Sequence, residues 1–240
     1  RWLCGAVPRV GQAPHDGEYR QTMEIDLSGR TAFVSGSTQG IGRAIAAKLA
    51  GAGAEVVVNG RAAERVDATA GELGARGIAA DVSTADGAAE LFEQLPAVDI
   101  LVNNLGIFEP IPVMDVDDET WQRYWDVNVM SAIRLTRQYA PAMAERGWGR
   151  VQFMASDSAV VTPAEMVHYG VTKTALLGVS RGFAKSLSGT GVTVNCVMAG
   201  PTHTEGVERF VRDLVGQDKA WEEAQAQFMA EHRPHSLIER

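Results

Sequence analysis

The chain has 240 residues, of which 45% are hydrophobic and 22% are charged, and its net charge at pH 7 is −8. This length and composition fit one globular domain with a sizeable core. The negative charge argues against nucleic acid or an anionic membrane as the main partner. No run approaches the roughly 18 consecutive apolar residues of a membrane helix. Cys4 and Cys196 are far apart and no Cys/His group has metal-ligand spacing, so we expect a reduced, cytoplasmic protein without a disulfide or a metal.

Residues 1–22 differ from the rest of the chain. They contain two prolines, scattered charges and no periodic apolar pattern. We expect this segment to be an N-terminal tail, either disordered or of extraneous origin, and the folded domain to span residues 23–240.

Short apolar runs rich in β-branched residues alternate with helix-like stretches along the chain. These runs cover residues 30–35, 55–59, 78–80, 98–103, 150–155 and 192–197. Connections long enough to hold a helix predict parallel strands. We therefore expect an α/β fold, with a single Rossmann-type doubly wound parallel sheet and helices on both faces. Ligands of such a sheet bind at the carboxyl ends of its strands.

Residues 121–146 carry one long amphipathic pattern. Trp125, Val129, Ile133 and Leu135 are among its apolar positions. The pattern predicts a single helix whose aromatic side chains pack in the core rather than against a cofactor.

A glycine-rich turn follows the first apolar run. Gly36, Gly40 and Gly42 are spaced as Gly-x-x-x-Gly-x-Gly, and a helical pattern through Ile41 and Leu49 begins at the turn. The first backbone N–H groups of a helix are free and attract phosphate. Gly40 would let a pyrophosphate approach the backbone, although the spacing differs from the Gly-x-Gly-x-x-Gly of long-chain dinucleotide enzymes and the turn lacks the lysine of a nucleoside-triphosphate loop.

Tyr169 and Lys173 are four residues apart, which places the phenol and the ammonium on one face of a helix. A nearby cation lowers the pKa of a phenol from about 10 and makes it a usable proton carrier. Such pairs are also common on ordinary solvated helices, so the pair gains its meaning from the glycine turn upstream.

With both motifs, the chain resembles the short-chain dehydrogenase/reductase family, in its ordinary, 3-oxoacyl reductase-like branch, over residues 24–240. The resemblance extends to Asn103-Asn104-Leu105-Gly106 after an apolar run, to Asn128 and to Ser156, thirteen residues before Tyr169. It also includes the pair Asp81-Val82 and the segment 200–204.

The resemblance implies a role for each polar residue. Tyr169 is expected to be the general acid and base, and Ser156 to hydrogen-bond the substrate oxygen. Lys173 is expected to lower the pKa of Tyr169 and to hold the nicotinamide ribose. Asn128 is expected to connect Lys173 to solvent through water. Ser158 is a competing serine, but it lies two residues out of place and is expected to border the substrate pocket.

The cofactor is expected to lie along the strand ends. The predicted binding residues are Gly36, Ser37, Gln39, Gly40, Ile41, Gly42, Asn59, Arg61, Asp81, Val82, Asn103, Gly106, Tyr169, Lys173, Gly200, Thr202 and Thr204. An NAD-preferring enzyme needs an acid at the end of the second strand, where this chain has Asn59-Gly60-Arg61. Arg61, helped by Ser37, favours the 2′-phosphate of NADP, with NAD as the alternative cofactor. Gln39 argues the other way, because many NADP-using relatives have a basic residue there.

These features predict an NAD(P)-dependent oxidoreductase that transfers hydride between NADPH and a ketone or secondary alcohol, such as a 3-oxoacyl compound or another bulky carbonyl. The alternatives are a cofactor-binding protein or scaffold with little turnover, and an epimerase or dehydratase. Residues 205–233 are expected to form a lid that selects the substrate. The resemblance also implies a homodimer or homotetramer. It implies a last strand beyond the position of Arg240, which we expect this domain to lack.

Overall fold

The computed structural model describes residues 25–234, and a parallel sheet of six strands forms the centre of this part of the chain. The strand order is β3-β2-β1-β4-β5-β6, and each neighbouring pair is parallel. The strands are β1 (Thr31–Val34), β2 (Glu55–Gly60), β3 (Arg76–Ala79), β4 (Ile100–Asn103), β5 (Gly149–Ser156) and β6 (Val192–Ala199). The predicted α/β fold is confirmed. The expected tail, residues 1–22, and Cys4 lie outside the described residues.

Eight helices of eight or more residues lie within residues 25–234, and the last two of them follow the final strand. They are α1 (Gly40–Gly51), α2 (Ala63–Leu73), α3 (Ala85–Gln94), α4 (Asp118–Trp125), α5 (Ser131–Glu145), α6 (Val167–Ser186), α7 (Glu205–Val215) and α8 (Trp221–His232). None of them has the length and apolar character needed to cross a membrane.

The two faces of the sheet bury separate apolar clusters, because alternate strand residues point to opposite faces. On one face, Phe33 and Leu101 pack with side chains of α3, α5 and α6. On the other face, Val34 and Val102 pack with side chains of α1 and α2. The carboxyl ends of the neighbouring strands β1 and β4 lie between these helix layers. From β1 the chain continues toward β2 at one side of the sheet, and from β4 toward β5 at the other side.

The long helix predicted over residues 121–146 contains an interruption. A π-helical turn, Asp126–Met130, joins α4 to α5. The extra residue of a π turn shifts the phase of the buried stripe. Tyr124 is therefore buried, in line with Val129, while Trp125 is 40% exposed. The prediction that Trp125 packs in the core is wrong for this reason.

The helices α7 and α8, which we call the lid, form a third cluster of their own. Phe210, Phe228 and Met229 are its large buried members, and Met166 reaches it from the turn before α6. This cluster lies beyond the carboxyl end of the sheet and separate from both sheet cores. The lid therefore covers the strand ends without belonging to the main core.

Candidate active site

A cleft of about 470 Å³ opens at the carboxyl ends of the strands, below the lid. Sixteen of the predicted site residues line it: Gly36, Gln39, Gly40, Ile41, Gly42, Asn59, Arg61, Asp81, Val82, Gly106, Ser156, Tyr169, Lys173, Gly200, Thr202 and Thr204. Ser37, Asn103 and Asn128 do not line it. The topology thus brings residues from 36 to 204 into one cavity.

The glycine turn after β1 is fixed by backbone sterics. Gly36 and Gly40 have φ angles of 62° and 54°, a region that other residues enter at a cost. Gly42 has an ordinary φ, but a Cβ there would meet the side chain of Asn104 and the carbonyl of Gly36. Glycine is therefore required at all three positions, and the turn stays close to the loop after β4.

The start of α1 faces the cleft with free donors. Among residues 25–234, no acceptor is found for the backbone N–H groups of Gly40, Ile41 and Gly42, and Gln39 gives no side-chain cap. The first helical hydrogen bond is donated by the Arg43 N–H to the Gln39 carbonyl, at 3.2 Å. Free N–H groups and the positive end of the helix dipole suit a phosphate group. The residues present therefore fit the pyrophosphate of a dinucleotide.

The structure corrects two of the predicted cofactor contacts. Ser37 is buried, and its hydroxyl donates to the Val34 carbonyl at 2.7 Å and accepts from the Asn59 N–H at 2.9 Å. It holds β1 to β2 and does not reach the cleft. Asn103 is also buried, and its amide donates to the Thr136 hydroxyl at 3.0 Å.

The next residue, Asn104, lines the cleft in place of Asn103. Its side chain donates to the carbonyls of Ser35 and Gly36, both at 3.0 Å. Sequence reasoning named the first asparagine of the pair because it could not establish where β4 ends. Strand alternation sends one side chain inward and the next toward the ligand.

Two guanidinium groups stand where the second strand ends. Arg61 is 78% exposed, and its Nη1 lies 4.0 Å from an Asp81 carboxylate oxygen. Arg65 lines the cleft one helical turn further on, in α2. The sequence analysis missed Arg65, because Arg61 lies before the N-cap Ala62 and the direction of the first turn of α2 could not be read from the sequence. The serine after Val82 holds Asp81, because the Ser83 hydroxyl donates to that carboxylate at 2.6 Å.

Lys173 is a buried cation in α6, with only 5% of the residue exposed. Its ammonium donates to the Met154 carbonyl at 2.9 Å. Burial lowers the pKa of Lys173 to about 8, and the neighbouring Cys196 thiol partly opposes this shift. The side chain is therefore still mainly charged at neutral pH. A Cβ at Gly106 would lie 3.2 Å from the ammonium, so the loop after β4 passes directly over it.

Tyr169 borders the cleft one turn before Lys173, whose ammonium lies 5.5 Å from the centre of the phenol ring. Burial raises the pKa of Tyr169 above its ordinary value, and the nearby Asp157 carboxylate adds to the rise. The Ser156 hydroxyl and the Arg233 charge act in the opposite direction. Loss of solvation therefore dominates the pKa of Tyr169 in the protein by itself, and the lowering of this pKa by Lys173 stays a prediction.

Ser156 ends β5 beside Tyr169. Its hydroxyl donates to the Asp157 carboxylate at 2.9 Å and accepts from the Ser158 N–H at 3.2 Å. The hydroxyl must rotate away from Asp157 before it can donate to a substrate oxygen. Sequence reasoning missed Asp157, which lines the cleft next to the predicted serine. Ser158 is buried and also borders the cleft, as expected for a neighbour of the substrate pocket.

Asn128 lies in the π turn, behind the cleft wall. Its carbonyl oxygen accepts from the Ile107 N–H at 2.8 Å, and its amide donates to the Ile107 carbonyl at 3.1 Å and to the Thr172 hydroxyl at 3.0 Å. These bonds fix the loop after β4 against α6. A Cβ at Gly106 would lie 3.5 Å from the Asn128 oxygen, so this residue and Lys173 flank the same glycine. Its role in a water relay stays a prediction.

The lid supplies the apolar end of the cleft. Phe108 and Phe210 pack edge to face, with their ring centres 5.8 Å apart, and the ring centre of Phe108 lies 6.2 Å from that of Tyr169. Phe228 continues this wall from α8, again at 5.8 Å from Phe210. The residues between 25 and 234 include no group of three or more His, Cys, Asp or Glu side chains placed to hold a metal ion.

Similarity to known proteins agrees with this geometry. The family model for short chain dehydrogenases matches residues 30–214. The uncharacterized oxidoreductase YvaG of Bacillus subtilis is 49% identical over 226 residues, covering 91% of this chain and 86% of that protein. The 3-oxoacyl-[acyl-carrier-protein] reductase FabG of Aquifex aeolicus is 33% identical over 193 residues, covering 76% and 78% of the two chains.

Solved structures give the same result. L-sorbose reductase from Gluconobacter frateurii, in complex with NADPH and L-sorbose, superimposes with a TM-score of 0.83 at 33% identity, covering 91% of this chain and 86% of that one. The chain therefore belongs to the short-chain dehydrogenase/reductase family and is an oxidoreductase. The predicted family is confirmed.

Proposed function

We propose that this protein is an NADP(H)-dependent reductase of ketones, with Tyr169 as its general acid. The observation that carries the proposal is the meeting of Tyr169, Ser156 and Lys173 in the same cleft as the free N–H groups of α1. The NADPH complex of L-sorbose reductase, a structural relative, supports the choice of cofactor.

The cofactor contacts follow from the cleft lining. The N–H groups at the start of α1 would bind the pyrophosphate, and Arg61 with Arg65 would bind the 2′-phosphate. Two guanidinium groups outweigh the single Asp81 carboxylate, so the charge balance favours NADP over NAD. Lys173 would hold the nicotinamide ribose. Bound NADPH supplies hydride, which is the chemistry that no side chain of the cleft can provide.

The protein residues control the proton. Because burial raises the pKa of Tyr169, its phenol keeps its proton at neutral pH. A protonated phenol can donate to a carbonyl oxygen that is gaining negative charge, so the resting state suits reduction. Ser156, once rotated from Asp157, would donate a hydrogen bond to the same oxygen. The ammonium of Lys173 then stabilises the phenolate that is left.

The substrate end of the cleft suits a ketone whose apolar carbon atoms can be buried. Phe108, Phe210 and Phe228 give it an apolar wall, and Ser156 and Tyr169 are its polar end. L-sorbose and 3-oxoacyl compounds are named as substrates of the two relatives above. We take a ketone or secondary alcohol as the substrate class. A homodimer or homotetramer and a cytoplasmic location remain predictions from the sequence.

The test is to assay a panel of ketones as substrates, with turnover measured as the loss of NADPH absorbance. Tyr169→Phe keeps the ring and removes the proton donor, so kcat should fall by roughly 100- to 10,000-fold with little change in NADPH affinity. Tyr139→Phe is the matched control, since its hydroxyl donates to the Leu95 carbonyl in the core, away from the cleft. That variant should keep its turnover. Retained activity in Tyr169→Phe would overturn the assignment.

A further inference from the structure

Arg233 borders the cleft from the end of α8, and the proposed function leaves it without a role. Only 14% of its side chain is exposed. It lies at the lid end, next to Phe228 and Glu165, whereas the phosphate-binding turn lies at the end of β1. Burying a guanidinium is costly, and the ion pair with Glu165, at 3.7 Å, offsets only part of this cost because it forms no hydrogen bond.

The contacts of Arg233 leave part of its donor capacity unused. Its Nη1 donates to the His232 carbonyl at 2.6 Å and lies 3.7 Å from Glu165 Oε1, beyond hydrogen-bond distance. Its guanidinium carbon lies 5.2 Å from the centre of the Phe228 ring. Within residues 25–234, Nη2 and Nε have no hydrogen-bond acceptor. The ring and the backbone hold the group, and in the described part of the chain two of its nitrogen atoms keep free donors.

The nearby carboxylates do not use all the donors of Arg233. Glu165 Oε1 faces Arg233 through Nη1 alone, at 3.7 Å, and also lies 3.4 Å from His232 Nδ1. Asp157 is bonded to the Ser156 hydroxyl and the Ser158 N–H, on the β5 side of Tyr169. The field of Arg233 reaches the phenol, since it lowers the pKa of Tyr169. The cleft around Tyr169 therefore has a negative side at β5 and a positive side at the lid.

We propose that Arg233 binds a carboxylate of the substrate, so that the protein acts on a ketone or secondary alcohol that carries a carboxylate group. Two donors of one guanidinium match the two oxygens of a carboxylate. The apolar wall of Phe108, Phe210 and Phe228 would cover the carbon atoms between the two ends. Asp157 would repel the carboxylate from the Ser156 side, which leaves one orientation. This inference deepens the proposed function and rests on it.

Binding without turnover tests the inference directly. The probes are isovalerate and hexanoate, each paired with its primary amide, which has the same shape but no charge. Neither pair contains a ketone, so calorimetric titration of the NADPH-loaded full chain measures binding alone. The turnover of Tyr169→Phe tests the proposed function in a separate experiment, so its failure can be told apart from failure of this inference.

We expect at least one carboxylate to bind roughly 10- to 100-fold more tightly than its amide. Arg233→Gln should abolish this preference and Arg233→Lys should keep part of it. Arg209→Gln is the matched control, because Arg209 is an exposed arginine of α7 outside the cleft, and it should keep the full preference.

If the role of Arg233 is purely structural, Arg233→Gln should weaken the binding of carboxylate and amide equally. The ratio of the two affinities therefore separates the two roles. Equal affinity for carboxylate and amide in the unaltered chain would overturn the inference. Failure of both carboxylates to bind, or a preference that survives in Arg233→Gln, would also overturn it. If Arg233→Gln does not fold, the unaltered chain and Arg233→Lys still decide the matter.

Discussion

The two ends of the cleft differ in the groups that line them, which are backbone groups at one end and side chains at the other. At the phosphate end, residues 40–42 present free backbone N–H groups, and glycine is required by positive φ angles at Gly36 and Gly40 and by close contacts at Gly42. At the lid end, Phe108, Phe210, Phe228 and Arg233 present side chains from three separate segments. The first end depends on chain geometry and the second on packing between helices.

This difference explains which part of the site tolerates change. A backbone cradle loses its shape with one added methyl group, whereas a wall of side chains can be rebuilt by substitution. The phosphate end therefore sets the cofactor, which is shared by many reductases. We expect the lid end to select the substrate, which differs from one relative to the next.

Gly42→Ala should have the largest effect. Its Cβ would meet the Asn104 side chain and the Gly36 carbonyl, and a carbonyl of the backbone cannot move aside cheaply. We expect NADPH affinity to fall by about 1,000-fold, or about 4 kcal/mol, because the turn must open. Fluorescence titration with NADPH measures this loss.

The control for that variant lies on the same helix. Gly51 ends α1, and a Cβ there meets nothing within 4 Å. Gly51→Ala should bind NADPH as the unaltered chain does. Normal NADPH affinity in Gly42→Ala would show that the turn does not hold the cofactor in the way described.

Phe228→Ala tests whether the lid is energetically separate. Phe228 is 2% exposed and packs on Phe210 within the lid cluster. We expect the free energy of opening of α7 and α8 to fall by about 3 kcal/mol, while amides of β1 and β4 keep their protection. Hydrogen exchange followed by mass spectrometry measures both regions in one experiment. An equal loss of protection in the sheet would mean that lid and sheet unfold together.

Lys173 gives a smaller effect that depends on pH. Burial lowers its pKa from 10.5 to about 8, so between these values the unfolded chain binds one more proton than the folded protein. The free energy of unfolding should therefore rise with pH over this window, by about 3 kcal/mol relative to Lys173→Met. The cost of the buried charge is fully present below pH 8.

Urea unfolding at a series of pH values measures this difference. Lys185→Met, which removes an exposed ammonium from the same helix, is the control and should parallel the unaltered chain. If Lys173→Met also runs parallel to the unaltered chain through this window, the ammonium is better solvated than its position in the structure implies.

The sequence predicted the parts of the fold that follow from spacing. All six strands were expected near their observed places, because apolar β-branched runs alternate with helical stretches. The start of β3 at Arg76 was missed, since an edge strand can include a charged residue that pairs by backbone alone. The π turn was also missed, because a one-residue insertion in a helix leaves no mark in apolar periodicity.

Within the site, too, the residues that follow from sequence spacing were predicted and the others were missed. The glycine turn, Tyr169 and Lys173 carry a fixed spacing, and the structure places them all on the cleft. Asn103 was misplaced by one residue, because the direction of a side chain depends on where its strand ends, and Ser37 turned out to hold β1 to β2. Arg233 could not be predicted as a cleft residue, because its position depends on how α8 packs against the turn before α6.

The central claim is that the cleft is built for NADPH, and a direct titration of the full chain with NADPH and with NADH tests it. We predict that NADPH binds roughly 10- to 100-fold more tightly than NADH, through charge-assisted hydrogen bonds from Arg61 and Arg65 to the 2′-phosphate. The preference should fall toward unity when both arginines are changed to glutamine. Equal affinity for the two nucleotides in the unaltered chain, or binding of neither, would contradict the account.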